Sequence, residues 1–402
     1  MMKRKLYILT TYFPPTISIA SNRMEAFAKY LNPDFFEVEV VTLATENSEV
    51  ESLKNLKIKR LPNTSKLNFQ KFSGKETFWF HKLKAAYNRI LTYFLRNEHK
   101  SWQKAAEKYL FNELRVNPEA ILLASYAPVA PILAAINLKI KFPKIFLITD
   151  FRDSMTNPLV HPALLRYNHK IQTKALQKAD LILSVSAPIL TEFSNILGGQ
   201  AHKLLEIRNG YDFELAPTTF FNTTFTISYI GTFYGERKPD YFFKALQQFI
   251  KKTNSKLVVQ LVGVGNSISI PHEIKDKVQV FPKIEHEQAL QMMKQTDALL
   301  LLHPRSDYKG VFTGKIFEYL GSLRPIIATV DTQDVAAQLI LECTAGFVAE
   351  FDQVDQIEEA INKAYLLWKN KEKLNFNLEL IAQQHRKNQV NILNEALKVK
   401  LL

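Results

Sequence analysis

The stretch Thr313-Gly-Lys-Ile-Phe-Glu-Tyr-Leu-Gly-Ser-Leu-Arg-Pro-Ile-Ile-Ala328 decides how the rest of the chain is read. A Thr-Gly turn opens a helix of about two turns, which leaves by a tight exit into a buried strand beginning at Pro325. At the helix start Thr313, Gly314 and Lys315 bring backbone N–H groups and a cation to one spot, an arrangement that favours an anion. Glu318 stands one turn beyond Lys315, on the same face. A carboxylate there accepts hydrogen bonds from vicinal sugar hydroxyls while the helix start holds phosphate, which points to a nucleotide-sugar site. The alternative is an ordinary exposed ion pair, worth roughly 0.2–0.5 kcal/mol.

On either side of this stretch, strand-like and helix-like segments alternate. Strands are expected at Leu6–Tyr12, Val38–Leu43, Ile58–Leu61, Ile121–Ala124, Ile145–Thr149 and Leu181–Val185, then at Thr226–Ile230, Leu257–Val262, Val278–Phe281, Ala298–Leu302, Ile326–Ala328 and Phe347–Ala349. Continuous apolar strands separated by helices predict parallel sheets covered on both faces. The fold class is therefore α/β, with two Rossmann-like domains facing each other across a cleft and ligands at the carboxyl ends of the strands. The first domain spans 1–213, the Thr-rich segment 214–224 with Pro217 reads as a linker, and the second domain spans 225–372. From 373 to 402 a long helical tract runs to the last residue.

A chain of 402 residues exceeds one typical core, so two domains are the default. At 47% apolar and 23% charged residues, the composition is that of a globular protein. The one cysteine, Cys343, excludes an internal disulfide, and its apolar setting reads as a buried structural thiol. No secretory signal is expected, because the apolar run after Lys5 ends at Pro14-Pro15. Ala120–Leu138 carries no charge but is interrupted by Pro128 and Pro131, so it reads as strand, loop and helix, not a membrane span.

The net charge of +13 is uneven: residues 51–115 hold fifteen Lys and Arg against five Glu and no Asp. Aromatic residues are interleaved there, among them Phe69, Phe72, Phe78, Trp79, Phe80, Tyr87, Tyr93, Phe94 and Trp102. Exposed, such a segment suits an anionic membrane surface. Packed inward, its aromatics would be ordinary core. No nucleic-acid recognition motif accompanies the charge, so no nucleic-acid partner is expected.

The segment from Lys315 to Ile326 resembles the donor-binding helix of the retaining glycosyltransferases of family 4, with its K-x-x-E-Y-L-x-x-x-x-P-I pattern. The resemblance implies the GT-B fold, a glutamate (Glu318) on the donor ribose, and a last helix crossing back onto the first domain. Tyr12-Phe-Pro-Pro15 through Arg23 resembles the family's opening F-P-P-x-x-G-x-x-x-x-R, with Ser18 in the glycine position near the donor phosphate and Arg23 retained on the acceptor side. A side chain at Ser18 is expected to narrow that approach and to strain the backbone.

Asp150-Phe-Arg152-Asp153 follows an apolar strand and resembles the D-x-R-D variant of surface-polysaccharide transferases. It implies Asp150 and Asp153 gripping sugar or acceptor hydroxyls and Arg152 orienting them; a structural ion-pair knot is the other reading. Arg208-Asn-Gly-Tyr-Asp212 resembles the family's N-G-x-D turn, in which Gly210 has a geometric role. Gly231-Thr-Phe-Tyr-Gly-Glu-Arg-Lys-Pro239 places Thr232 where the family carries arginine, while Lys238 matches the diphosphate-binding lysine and Arg237 stands beside it. Gly263-Val-Gly265 resembles the family's G-x-G turn near the nucleotide base, though any strand-to-helix turn favours glycine.

Of the family's paired glutamates Glu318 is the second, and Gly310 occupies the first position, with Asp307 nearby. His272 and His286 are isolated, so no metal or other cofactor is expected.

The resemblance implies transfer of a sugar from a UDP- or GDP-type donor to a glycan or lipid-linked acceptor, retaining configuration. Lys238, Asp150, Arg152 and Asp153 are the catalytic candidates, in a cytoplasmic protein peripheral to the inner face of a membrane. A non-catalytic glycan-binding relative is the second reading, motivated by Ser18, Thr232 and Gly310. A sugar-nucleotide 2-epimerase is the third.

Overall fold

Among the described residues thirteen strands form two all-parallel sheets. The computed structural model describes residues 3–45, 56–64, 96–216, 221–233, 238–265, 268–305 and 307–401. The chain divides into two units, Met1–Arg208 with Val390–Leu402, and Asn209–Gln389.

In the first unit the strands are β1 (Arg4–Leu9), β2 (Phe36–Leu43), β3 (Lys57–Leu61), β4 (Ile121–Tyr126), β5 (Phe146–Phe151), β6 (Leu181–Ser184) and β7 (Leu204–Glu206), in the order β3-β2-β1-β4-β5-β6-β7. Between them run α1 (Ile19–Tyr30), α2 (Lys100–Val116), α3 (Ala130–Lys141), α4 (Pro162–Lys178) and α5 (Ala187–Ile196). The uninterrupted apolar runs are buried because helices cover both faces, as parallel pairing demands. Leu6, Ile8, Leu123 and Ile148 of the sheet share one buried cluster with Met24 and Phe27 of α1. Each such side chain contributes about 1.5–3 kcal/mol on burial. The uncharged stretch from Ala120 to Leu138 becomes β4 and the start of α3, and among the described residues no helix is long and apolar enough to cross a membrane.

The second unit orders its strands β10-β9-β8-β11-β12-β13, with β8 at Phe225–Ile230, β9 at Leu257–Val262, β10 at Val278–Phe281, β11 at Ala298–Leu302, β12 at Ile326–Val330 and β13 at Gly346–Glu350. Its helices are α6 (Asp240–Thr253), α7 (His286–Gln295), α8 (Gly314–Gly321), α9 (Val335–Glu342), α10 (Val354–Asn370) and α11 (Leu378–Gln383). In α6 the buried residues Phe242, Phe243, Leu246 and Phe249 recur at helical spacing, and Asn254 closes the helix in the left-handed region at φ 48°. Cys343 is a buried free thiol.

The expected single helical tract after residue 372 is two helices, α11 and α12 (Arg386–Leu401). The break has a local cause. Gln384 ends α11, and its carbonyl accepts from Tyr211 N at 3.2 Å while Arg386 N donates to Tyr211 O at 2.8 Å. Gly210 makes this approach possible: its φ is +74°, and a Cβ there would stand 2.4 Å from the Gln384 carbonyl oxygen. Beyond the break Val390, Leu393 and Leu397 join the first unit's core. Within the expected linker, Asn222 is held to the second unit by its N–H to Asp297 Oδ1 at 3.0 Å and by Trp368 Nε1 donating to its carbonyl at 2.8 Å.

Lys82–Leu95, whose sequence has helical periodicity, lies outside the described residues, as do all the aromatics of the basic segment named above except Trp102. Trp102 is completely buried in α2, the core alternative for that residue.

Candidate functional site

In the second unit the site is built where β8 and β9 end. Gly231 follows β8 at φ +132° and donates its N–H to Val262 O at 2.8 Å; Gly263 follows β9 at φ +74° and donates to Phe281 O at 3.0 Å. Both chain ends thus turn away at the sheet's carboxyl edge in conformations that only glycine adopts without strain. Into the space left by the missing side chain at 231 comes Lys315. A Cβ on Gly231 would lie 2.2 Å from the Lys315 ammonium nitrogen.

Under that ammonium lies the ring of Tyr229, its centroid 4.0 Å from Nζ. This ring is itself stacked on Phe233 at 4.6 Å, and the Tyr229 hydroxyl donates to Thr232 O at 3.3 Å. A cation over an aromatic face gains about 0.5–2 kcal/mol. The lysine is therefore held at the sheet edge.

Helix α8 starts beside it. Thr313 is its N-cap residue in an extended conformation, yet its side chain makes no capping bond, and Thr313 Oγ1 is buried without a partner. Side-chain capping is the usual fate of a threonine here, worth about 1 kcal/mol. Its omission leaves the first turn of α8 without a side-chain cap. The helix is anchored from below: Ile316, Phe317, Tyr319 and Leu320 are buried, and the Tyr319 hydroxyl accepts from Ile230 N at 3.2 Å. One bond therefore ties the helix to the last residue of β8.

Glu318 is 18% exposed at its side chain, with His286 Nε2 3.7 Å from Oε1. Burial pushes its carboxyl above the usual glutamate range, against the downward pull of His286, Arg386 and Lys315. A ligand that needs the carboxylate is thus held at neutral pH and released on acidification. Release should begin at a higher pH than for an exposed glutamate, and a titration of ligand affinity from pH 8 to pH 5 checks it. For stability the sign is opposite. Because the folded state favours the protonated form, this group costs stability at pH values above its raised pKa.

Gly310, in place of the family's first glutamate, has φ +85° and donates its N–H to Asp334 Oδ1 at 2.8 Å. Asp334 also caps α9 through Val335 N, and Lys309 pairs with Asp331. The loop before α8 is thus tethered to α9, with glycine required by the backbone. Asp307 and Thr232 are exposed, and Lys238 is exposed just before α6. Arg237 lies outside the described residues.

The first unit carries the other candidates, and here two expectations are corrected. Arg23 and Asp150, read as ligand contacts, are given to each other: 2% and 0% exposed, they pair Nη2 to Oδ1 at 2.7 Å. Arg23 Nε lies 3.1 Å from both carboxylate oxygens, its Nη1 donates to Ile207 O at 2.7 Å, and Ser125 Oγ donates to Asp150 Oδ2 at 3.1 Å. This is a buried ion-pair knot of Arg23 with Asp150, and not the Asp150–Arg152–Asp153 cluster weighed from the sequence. The strain expected at Ser18 is also absent: φ −162° is extended backbone, and the hydroxyl accepts from Ser21 N at 3.0 Å as the N-cap of α1.

Arg152 and Asp153 stand in the loop that leaves β5. Burial lowers the Arg152 pKa and raises that of Asp153, and burial followed by Asp153 pushes the Tyr126 phenol up to about 12. The next residues are fixed by Gln172 Oε1, which accepts from Met155 N at 2.6 Å, and by Glu192 Oε1, which accepts from Ser154 Oγ at 2.6 Å. Among the described residues no group of three or more His, Cys, Asp or Glu could hold a metal ion.

Sequence reasoning missed Tyr229, His286, Gln172 and Glu192 as site or supporting residues. Tyr229 reads as one more strand residue, and His286 precedes Glu318 by a separation with no periodicity to reveal it.

Each sheet with its helices is a Rossmann-like domain, and together they are the GT-B type of α/β fold. Residues 212–379 match the family model described as Glycosyl transferases group 1, so the second unit carries such a domain. Among solved structures, the lipopolysaccharide outer core galactosyltransferase WaaB in its apo form superposes with a TM-score of 0.63 at 13% identity, covering 99% of this chain and 100% of that one. HepE from Anabaena, in complex with UDP and glucose, gives 0.62 at 14% identity and covers all of both chains. A TarM mutant from S. aureus, in complex with fondaparinux, alpha-GlcNAc-glycerol and UDP, gives 0.63 at 10% identity over 98% of this chain and 99% of that one. Identities this low carry the fold alone. No curated protein sequence matches.

Proposed function

We propose that this protein is a retaining glycosyltransferase that moves a sugar from a nucleotide diphosphate donor to a hydroxyl of a glycan or lipid-linked acceptor in cell-surface polysaccharide assembly. The observation that carries the reading is the start of α8: an N-cap threonine with its hydroxyl unengaged, a lysine laid across a glycine toward the same edge, and a half-buried glutamate one turn further. A diphosphate at that end meets the helix N-terminus and Lys315, and Glu318 accepts from the ribose hydroxyls. The helix N-terminus and Lys315 contacts strengthen as charge moves onto the departing diphosphate, which is how fixed dipoles lower a barrier, while the Glu318 contact binds donor and transition state alike. Lys238 adds a mobile point charge to the same diphosphate. In this reading the leaving phosphate takes the proton of the attacking hydroxyl, and no metal is needed. The first unit, with Arg152 and Asp153 at its sheet edge, takes the acceptor.

The test is a binding and turnover screen of UDP-, GDP- and ADP-sugars in buffer containing EDTA, on wild type and Glu318→Ala. We expect one donor to bind, with affinity reduced about 10- to 100-fold in the variant, the loss of charge-assisted hydrogen bonds worth roughly 1.5–3 kcal/mol. Equal affinity in the variant removes the ribose contact, and absence of any nucleotide binding removes the enzyme. Isomerised donor without acceptor would instead identify an epimerase.

A further inference from the structure

Arg152 is the one candidate whose surroundings leave a chemical question open. It follows the last residue of β5, in a sheet where β4 and β6 flank that strand on either side. Among the described residues its guanidinium makes no hydrogen bond and no ion pair within 4 Å, and of its three nitrogens only Nε is sealed from solvent. The two terminal nitrogens therefore reach the sheet's carboxyl edge while the stem is enclosed.

The carboxylates beside it do not satisfy it. Asp150 already receives Arg23 and Ser125. Asp153 forms no ion pair with the arginine, and burial favours its neutral form. A half-enclosed guanidinium that feels Asp150 and Asp153 without bonding either, while burial still lowers its pKa, gains from a ligand that supplies hydrogen-bond acceptors and counter-charge. On the neighbouring strand, where Ser184 pairs with Phe151, Ser186 stands two residues past β6 as the N-cap residue of α5, and its buried hydroxyl caps nothing and has no partner among the described residues.

We propose that Arg152 is the seat of an anion subsite in the first unit, and that it takes a phosphate ester carried by the acceptor. The planar guanidinium matches phosphate through two parallel N–H bonds. The net charge of +13 favours a multiply charged anion over a single carboxylate. The word acceptor rests on the function proposed above; the anion subsite itself does not.

Calorimetric titration of the full-length protein separates these. Wild type, Arg152→Gln and Arg152→Lys are each titrated with pyrophosphate, glucose 6-phosphate, farnesyl diphosphate and UDP at one salt concentration, with thermal melts confirming folding. Wild type is expected to bind at least one of the first three, Arg152→Gln at least 10-fold more weakly. Arg152→Lys, which keeps the charge without the fork, should fall between them. UDP affinity should stay within twofold. Glucose 6-phosphate and farnesyl diphosphate tell a sugar phosphate from a lipid one, and either supports the subsite. The proposal is overturned if wild type binds none of the three, if Arg152→Gln binds them equally well, or if it loses UDP by the same factor, which would place Arg152 in the donor site. Loss of UDP binding in Glu318→Ala bears only on the function.

Discussion

Gly231→Ala is expected to lower kcat/KM for the nucleotide-sugar donor about 100-fold, equivalent to roughly 2.7 kcal/mol of transition-state stabilisation. The new methyl group would stand 2.2 Å from the Lys315 ammonium and 2.3 Å from its Cε, far inside contact distance. The neighbour that must yield is the far end of a flexible side chain. Lys315 therefore swings off the Tyr229 ring and away from the α8 start, while the surrounding sheet stays in place. Gly231 also has φ +132°, which adds strain of about 1–3 kcal/mol in an alanine. The measurement is steady-state kinetics paired with a melt. A folded variant with undiminished kcat/KM would show that the position of Lys315 is irrelevant to turnover. Because Lys315 is proposed to act on the departing diphosphate, kcat should fall with kcat/KM.

Arg23→Met should be among the most destabilising single changes in the first unit, by about 3–5 kcal/mol. It leaves the Asp150 carboxylate buried with its principal partner gone. Replacing both members of the pair, Arg23→Met with Asp150→Leu, should restore most of the loss, since no isolated charge remains to be desolvated. Chemical denaturation of the three variants decides it. A mild single variant, or a double variant as unstable as the single, would contradict the knot. If Asp150 gripped substrate instead, Asp150→Asn would depress turnover and leave stability untouched; we expect its effect to fall on stability.

These two residues show where the sequence is legible. Strands β9 at Leu257–Val262 and β11 at Ala298–Leu302 coincide with the apolar runs read from the chain, because a parallel strand covered on both faces is predominantly apolar, and edge strand β10 at Val278–Phe281 coincides although two of its four residues are exposed. Strand β7, at Leu204–Glu206, offers three partly buried residues and no pattern, so it is invisible beforehand. The break at Gln384–His385 also escapes the helical pattern, since its cause is Gly210, far away in the chain.

At the site, Lys315 and Glu318 are readable as a pair on one helix face, since their spacing is local. Tyr229 beneath the lysine and His286 beside the glutamate are not, being brought there by sheet order and helix docking.

By itself, then, the amino-acid order determined the alternation of strands and helices, the two sheets, and the pairing of Lys315 with Glu318 on one helix face. Each depends on periodicity or on neighbours within a turn. Only the tertiary structure decided that Arg23 closes on Asp150, that Gly231 makes room for Lys315, and that Arg152 is left with an open guanidinium. Burial and pairing of charges depend on which distant side chains arrive, and no local pattern records that.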